Sequence, residues 1–140
     1  MRNYSSKKII NPTTLAQPRG FNHGILTSKG RMLFLAGQTG SDKEGRITAL
    51  GDLTAQYEQV LHNLKAVVEA AGGSMQDIVK MTIFIRDRAD YIAHLKPLGK
   101  VHQAFFGGYY PATALLEVAG FFQEEVLIEI EGIAVIDAEA

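Results

Sequence analysis

A chain of 140 residues with 46% hydrophobic and 21% charged residues has the composition of a folded globular protein with one ordinary core. It contains no cysteine, which excludes disulfides, thiol nucleophiles and thiolate metal sites. With 14 basic and 15 acidic residues the net charge is −1, and no basic block stands out beyond Lys7-Lys8, so a nucleic-acid partner is disfavoured.

In chain order, residues 1–22 are irregular by composition, rich in Pro, Asn, Ser and Thr, with Lys8-Ile9-Ile10 as a short edge strand ended by Asn11-Pro12. His23 to Ala36 reads as a hairpin turning at Lys29-Gly30, and its second arm, Met32 to Ala36, is apolar at every position, the pattern of a strand buried on both faces. A polar loop follows Gly37-Gln38-Thr39-Gly40. Asp52 or Thr54 then caps a helix whose stripe is Tyr57, Val60, Leu61, Leu64, Val67, Val68 and Ala71, closed by Gly72-Gly73. Ile78 to Arg86 is a strand rich in β-branched residues. Tyr91, Leu95, Leu98, His102 and Phe105 form a second helical stripe, with a break expected at Pro97. Two further strands run from Tyr110 to Val118 and from Val126 to Ile136. In the last, Val126, Ile128, Ile130, Ala134 and Ile136 share one apolar face with Gly132, and Glu129 and Glu131 share the other.

The order ββ–α–β–α–ββ predicts an α+β fold: one two-layer domain over residues 1–140, a mixed sheet with two helices on one face. The other sheet face is too apolar for water, and other copies of the same chain are its economical cover. No apolar run reaches membrane-spanning length, and the N-terminus lacks the apolar core of a secretory signal, so a cytoplasmic chain with no membrane partner is expected.

Few residues carry chemistry. Glu129 reads either as an acid/base or water-orienting group or as a paired strand residue; for Glu131 and Glu117 the second reading is favoured. The four histidines, His23, His62, His94 and His102, show no metal-ligand spacing, so no metal is expected. His102 lies on an apolar stripe and reads as a satisfied core residue. Gly37-Gln38-Thr39-Gly40 lacks the lysine and following helix of a phosphate loop; its backbone is a candidate cleft lining. No cofactor motif is present, and none is expected.

Several motifs together resemble the Rid family, reactive intermediate deaminases of the YjgF type, over nearly the whole chain. LFLAGQTG is similar to the family strand that ends in an apolar–Ser–Gly–Gln signature, with Ala36 where Ser is usual. HNLKAVVEAAGGSMQDIVKMTIFIRD is similar to its central helix and next strand, Phe105-Phe106 with Tyr110-Pro111-Ala112 to the approach to its signature, and EVLIEIEGIAVI to its last strand. The resemblance implies a chorismate-mutase-like fold, a homotrimer and small-molecule clefts between subunits, where the best-known branch hydrolyses 2-imino and enamine acids to keto acids and ammonia. It also implies a catalytic role for Glu129 and ligand-binding roles for Phe21, His23, Gly37 and Thr113. In that branch the signature is Pro-Ala-Arg-Ser, and the arginine holds the substrate carboxylate. Here it is Pro111-Ala112-Thr113-Ala114, with Gly99 where a helical Asn stands and Phe21 where a Tyr stands. Three readings follow: an imine or enamine hydrolase for a substrate other than simple 2-imino acids, a non-catalytic ligand-binding or sensing trimer, and an RNA-directed role that the charge argues against.

Overall fold

Strand β6 (Ile128–Ile136) is the axis of the molecule in the computed structural model, which describes residues 6–137. As the alternation predicts, Val126, Ile128, Ile130, Ala134 and Ile136 are all buried. Strand β6 lies between β3 (Arg31–Gln38) and β4 (Ile78–Ile85), antiparallel to both, and β5 (Ala112–Glu117) runs parallel to β4 at the far edge. Gly132 makes the β4–β6 contact possible. A Cβ there would sit 2.5 Å from the Lys80 carbonyl oxygen. A parallel pair needs a crossover, supplied by α2 (Arg88–Ala93) and α3 (Leu95–Phe106).

Helix α1 (Leu53–Ala70) starts where its cap requires: the Asp52 side chain accepts the Ala55 N–H at 3.0 Å. Beyond its end Gly72 takes a positive φ of 86°, a conformation that glycine adopts without strain. Its face of Tyr57, Val60, Leu61, Leu64 and Val68 packs with Leu98 and Phe106 of α3 onto Met81, Ile83, Ile85, Ile128 and Ile130. Buried Gln56 is fully satisfied. Its amide donates to the carbonyls of Ala49 and Glu125, and its oxygen accepts the Leu127 N–H. It thereby fixes the approach to β6. The α+β class with α1 and α3 on one face is as expected, but the second helix divides at His94 rather than at Pro97. Pro97 sits in the first turn of α3, where a missing N–H leaves no bond unmade.

The hairpin expected over residues 23–36 does not form. Strand β2 (Gly24–Thr27) pairs with β1 (Lys7–Ile10) in a separate two-stranded ribbon, while β3 pairs with β6. Tertiary contacts hold the ribbon away from β3. Lys7 Nζ makes a 2.9 Å ion pair with Asp77 in the short 3-10 turn before β4, both side chains nearly inaccessible. Asn22, just before β2, bridges to Ala112 at the start of β5. Gly30 makes the turn at φ +130°, pressed against Val135 and Ile136.

The sheet face away from α1 and α3 is open in the single chain. Met32, Phe34 and Leu116 are 60%, 70% and 46% exposed there, so β3 is covered on only one of its two apolar faces.

Candidate functional site

The parallel register of β4 and β5 sets Thr113 beside Met81 and Leu115 beside Ile83, which turns Thr113 towards the helices. The chain before β2 is fastened alongside. The Asn22 N–H donates to the Pro111 carbonyl at 3.3 Å, and its side-chain amide donates to the Tyr110 carbonyl at 2.7 Å. Asn11 ties down the same turn, donating to the Asn22 side chain and accepting the His23 N–H, each at 2.8 Å. Phe21 and His23 meet edge to face at 5.2 Å, and His23 Nε2 donates to the Ala16 carbonyl at 2.7 Å. Phe21 lines a groove of about 580 Å³ against segment 11–22 that shares Gly20 and Tyr110 with the cavity at Thr113.

That cavity, about 160 Å³, lies between β4, β5, α1, α2 and α3. Its polar groups are Thr113, Tyr57, Tyr91, Tyr110 and His102; Met81, Ile83, Leu95 and Leu98 supply apolar wall, and Gly20 and Gly99 complete it. Its lining includes no lysine, arginine, aspartate or glutamate. The Thr113 hydroxyl donates to the Pro111 carbonyl at 2.9 Å, which leaves its oxygen lone pairs facing outward as acceptors. The His102 ring is stacked between Phe106 at 4.5 Å and Tyr110 at 4.4 Å. Its Nε2 donates to the Tyr109 carbonyl at 3.0 Å, so Nδ1 is the acceptor that faces the Tyr57 hydroxyl at 3.5 Å. Burial lowers the His102 pKa below 6.5, against the smaller opposing effect of the Tyr109 hydrogen bond. Burial also raises the Tyr57 pKa, with the nearby phenols of Tyr91 and Tyr110 adding to it, and burial raises that of Tyr91. At neutral pH the wall is therefore uncharged, with phenol O–H donors and imidazole and hydroxyl acceptors.

Glu129 and Gly37 lie elsewhere. Glu129 is paired with Phe84 on the open sheet face, the face opposite to Thr113. Gly37, within the irregularity between Leu35 and Gln38 in the β3–β6 pairing, abuts it: a Cβ on Gly37 would stand 2.6 Å from Glu129 Oε2. Asn63 of α1 holds the loop that follows, donating to the carbonyls of Thr39 and Ser41 at 2.9 and 3.0 Å. The five expected site residues thus separate: Thr113 lines the cavity and Phe21 the adjoining groove, Gly37 and Glu129 lie together on the open face, and His23 is in the lining of neither space. Glu131 is exposed beside Thr82. Among the described residues no cluster of His, Asp or Glu has metal-binding geometry. The sequence reading missed the phenols: Tyr57 and Tyr91 count there only as members of apolar stripes. Their signal is that both stripes begin with a tyrosine, whose hydroxyl needs a polar destination when buried.

Residues 13–136 match the family model described as Endoribonuclease L-PSP. The Rid protein YyfB of Yersinia pestis superposes with a TM-score of 0.83 at 32% identity, covering 94% of this chain and 99% of its own. The chain belongs to the Rid family. A RutC family protein of Pyrococcus horikoshii is 39% identical over 105 residues, which is 75% of this chain and 79% of that protein. A protein of Dermatophagoides farinae named 2-iminobutanoate/2-iminopropanoate deaminase is 34% identical over 133 residues, 95% of this chain and 99% of its own. The match to the Rid fold covers 94% of the chain.

Proposed function

We propose that this Rid protein is an imine or enamine hydrolase whose substrate is not a simple 2-imino acid, and that it works as a homotrimer with its clefts between subunits. The observation that carries this reading is the cavity at Thr113, whose wall offers a carboxylate no cation. Desolvating a carboxylate there without a partner costs more than any single neutral hydrogen bond returns. The placement of Thr113 opposite to Glu129 and Gly37 supports the trimer, because one copy's Thr113 cavity can meet Glu129 and Gly37 only from a neighbour. The open face with Met32 and Phe34 supplies the apolar surface for that contact.

In the reaction, Glu129 accepts a proton from water, and the water oxygen bonds to the imine carbon. The C–N bond then breaks as both water hydrogens end on nitrogen, giving a carbonyl compound and ammonia with no net redox change. An enamine enters the same sequence after protonation on carbon. Ammonia release from imines with and without a carboxylate tests the proposal. Turnover of the carboxylate-free imine is expected, and its loss in Glu129→Gln. Ammonia from neither class leaves a ligand-binding trimer instead.

A further inference from the structure

We infer that the Thr113 cavity selects a single-ring compound that carries no anionic group and bears a carbonyl or imine acceptor. This inference rests on the reading of that cavity as the substrate site and goes beyond it by naming the class. Size sets the first limit. The cavity is about 160 Å³, and an apolar cavity of roughly 150 Å³ admits one benzene ring. Shape sets the second. The polar part of the wall is built largely of flat rings, those of Tyr57, Tyr91, His102 and Tyr110, with the last two stacked 9° from parallel. Flat walls favour a flat ligand, by offset or edge-on ring contact.

Charge sets the third limit. The wall holds no ionisable group that is charged at neutral pH. His102 is held neutral by burial, with its one ring proton committed to the Tyr109 carbonyl. A ligand anion would be desolvated without compensation. The phenols of Tyr91 and Tyr110 remain as donors for a ligand carbonyl or imine nitrogen, and the Thr113 oxygen as an acceptor for its N–H. The entrance is set by glycine. A Cβ added at Gly99 or at Gly20 meets nothing within 4 Å, so the positions that border the cavity in α3 and before Phe21 leave a way in.

Benzamide and benzoate, alike in shape and different in charge, test this by calorimetric titration of the full-length protein near pH 7. Benzamide is expected to bind at least about tenfold more tightly than benzoate, a difference of roughly 1.4 kcal/mol. Gly99→Leu, placed where its side chain has room, is expected to abolish benzamide binding with an unchanged circular dichroism spectrum. Equal affinities, no benzamide binding, or benzamide binding undiminished in Gly99→Leu would each overturn the inference. The hydrolase reading fails separately. Benzamide binding without ammonia release from any imine leaves the ligand class standing, whereas ammonia release that benzamide does not inhibit leaves the hydrolase standing and removes this class.

Discussion

Thr113→Arg gives the cavity the cation it lacks. In the natural protein a 2-imino acid must place its carboxylate against Thr113, whose hydroxyl already donates to Pro111, and against phenols. A charge-assisted hydrogen bond contributes about 1.5–3 kcal/mol, so the variant should gain roughly ten- to a hundredfold in kcat/KM on 2-iminopropanoate. The cavity of about 160 Å³ beside Thr113 is the space the longer side chain would enter. The guanidinium finds no carboxylate in the wall, so the variant alone should melt lower than the natural protein, and a small carboxylate such as pyruvate should raise its melting temperature selectively. The assay generates the imine in the cuvette with an amino-acid oxidase acting on alanine and follows competition with semicarbazide. The reasoning is refuted if the natural protein already reaches a kcat/KM of about 10⁴ M⁻¹s⁻¹ on this substrate. It is equally refuted if pyruvate stabilises both proteins alike.

Leu64→Ala empties a fully buried site in the centre of α1 and should cost roughly 2–5 kcal/mol, read from the urea midpoint at fixed protein concentration; an unchanged midpoint would mean that α1 does not pack as described. Gly37→Ala puts a methyl group 2.6 Å from Glu129 Oε2, the movable end of that side chain, so turnover should fall by up to about a hundredfold while the urea midpoint changes little. His102 has a folded pKa below its unfolded value, so the unfolded chain binds its proton first as pH falls. Stability should therefore decrease below about pH 6.5 and level off below the folded pKa, and His102→Gln should lose less between about pH 7.5 and 5.5 than the natural protein. Equal losses in the two proteins would assign the effect to other groups. Sedimentation equilibrium at micromolar concentration should give three times the chain mass, and a stable monomer would remove the intersubunit cleft.

Local rules read well here. Alternation over Val126–Ile136 identifies the buried face of β6, and the stripe from Tyr57 to Val68 identifies α1, because each pattern repeats within one element. Pairing reads less well. Lys29-Gly30 shows that the chain can reverse there, yet β2 goes to β1 because Lys7–Asp77 and Asn22–Ala112 join residues about seventy to ninety positions apart. The site divides along the same line. Thr113, Glu129 and Gly37 can be found one at a time by motif. Their placement on opposite faces follows only once β5 is known to run parallel to β4 and β6 antiparallel. The neutral character of the cavity depends on the burial of His102, and its free donors and acceptors on the hydrogen bonds to Pro111 and Tyr109, none of which any periodicity encodes.

The place of β6 between β3 and β4 bears on how the chain is made. A ribosome adding roughly 5–20 residues per second completes β3 some five to twenty seconds before it begins β6. Throughout that interval β3 and β4 have no common neighbour, and Met32, Leu33, Phe34 and Leu35 stay available to other nascent strands. Strand β3 therefore stays without its sheet partner until the central strand appears. A premature stop before Ile128 would remove the middle of the sheet rather than trim an edge.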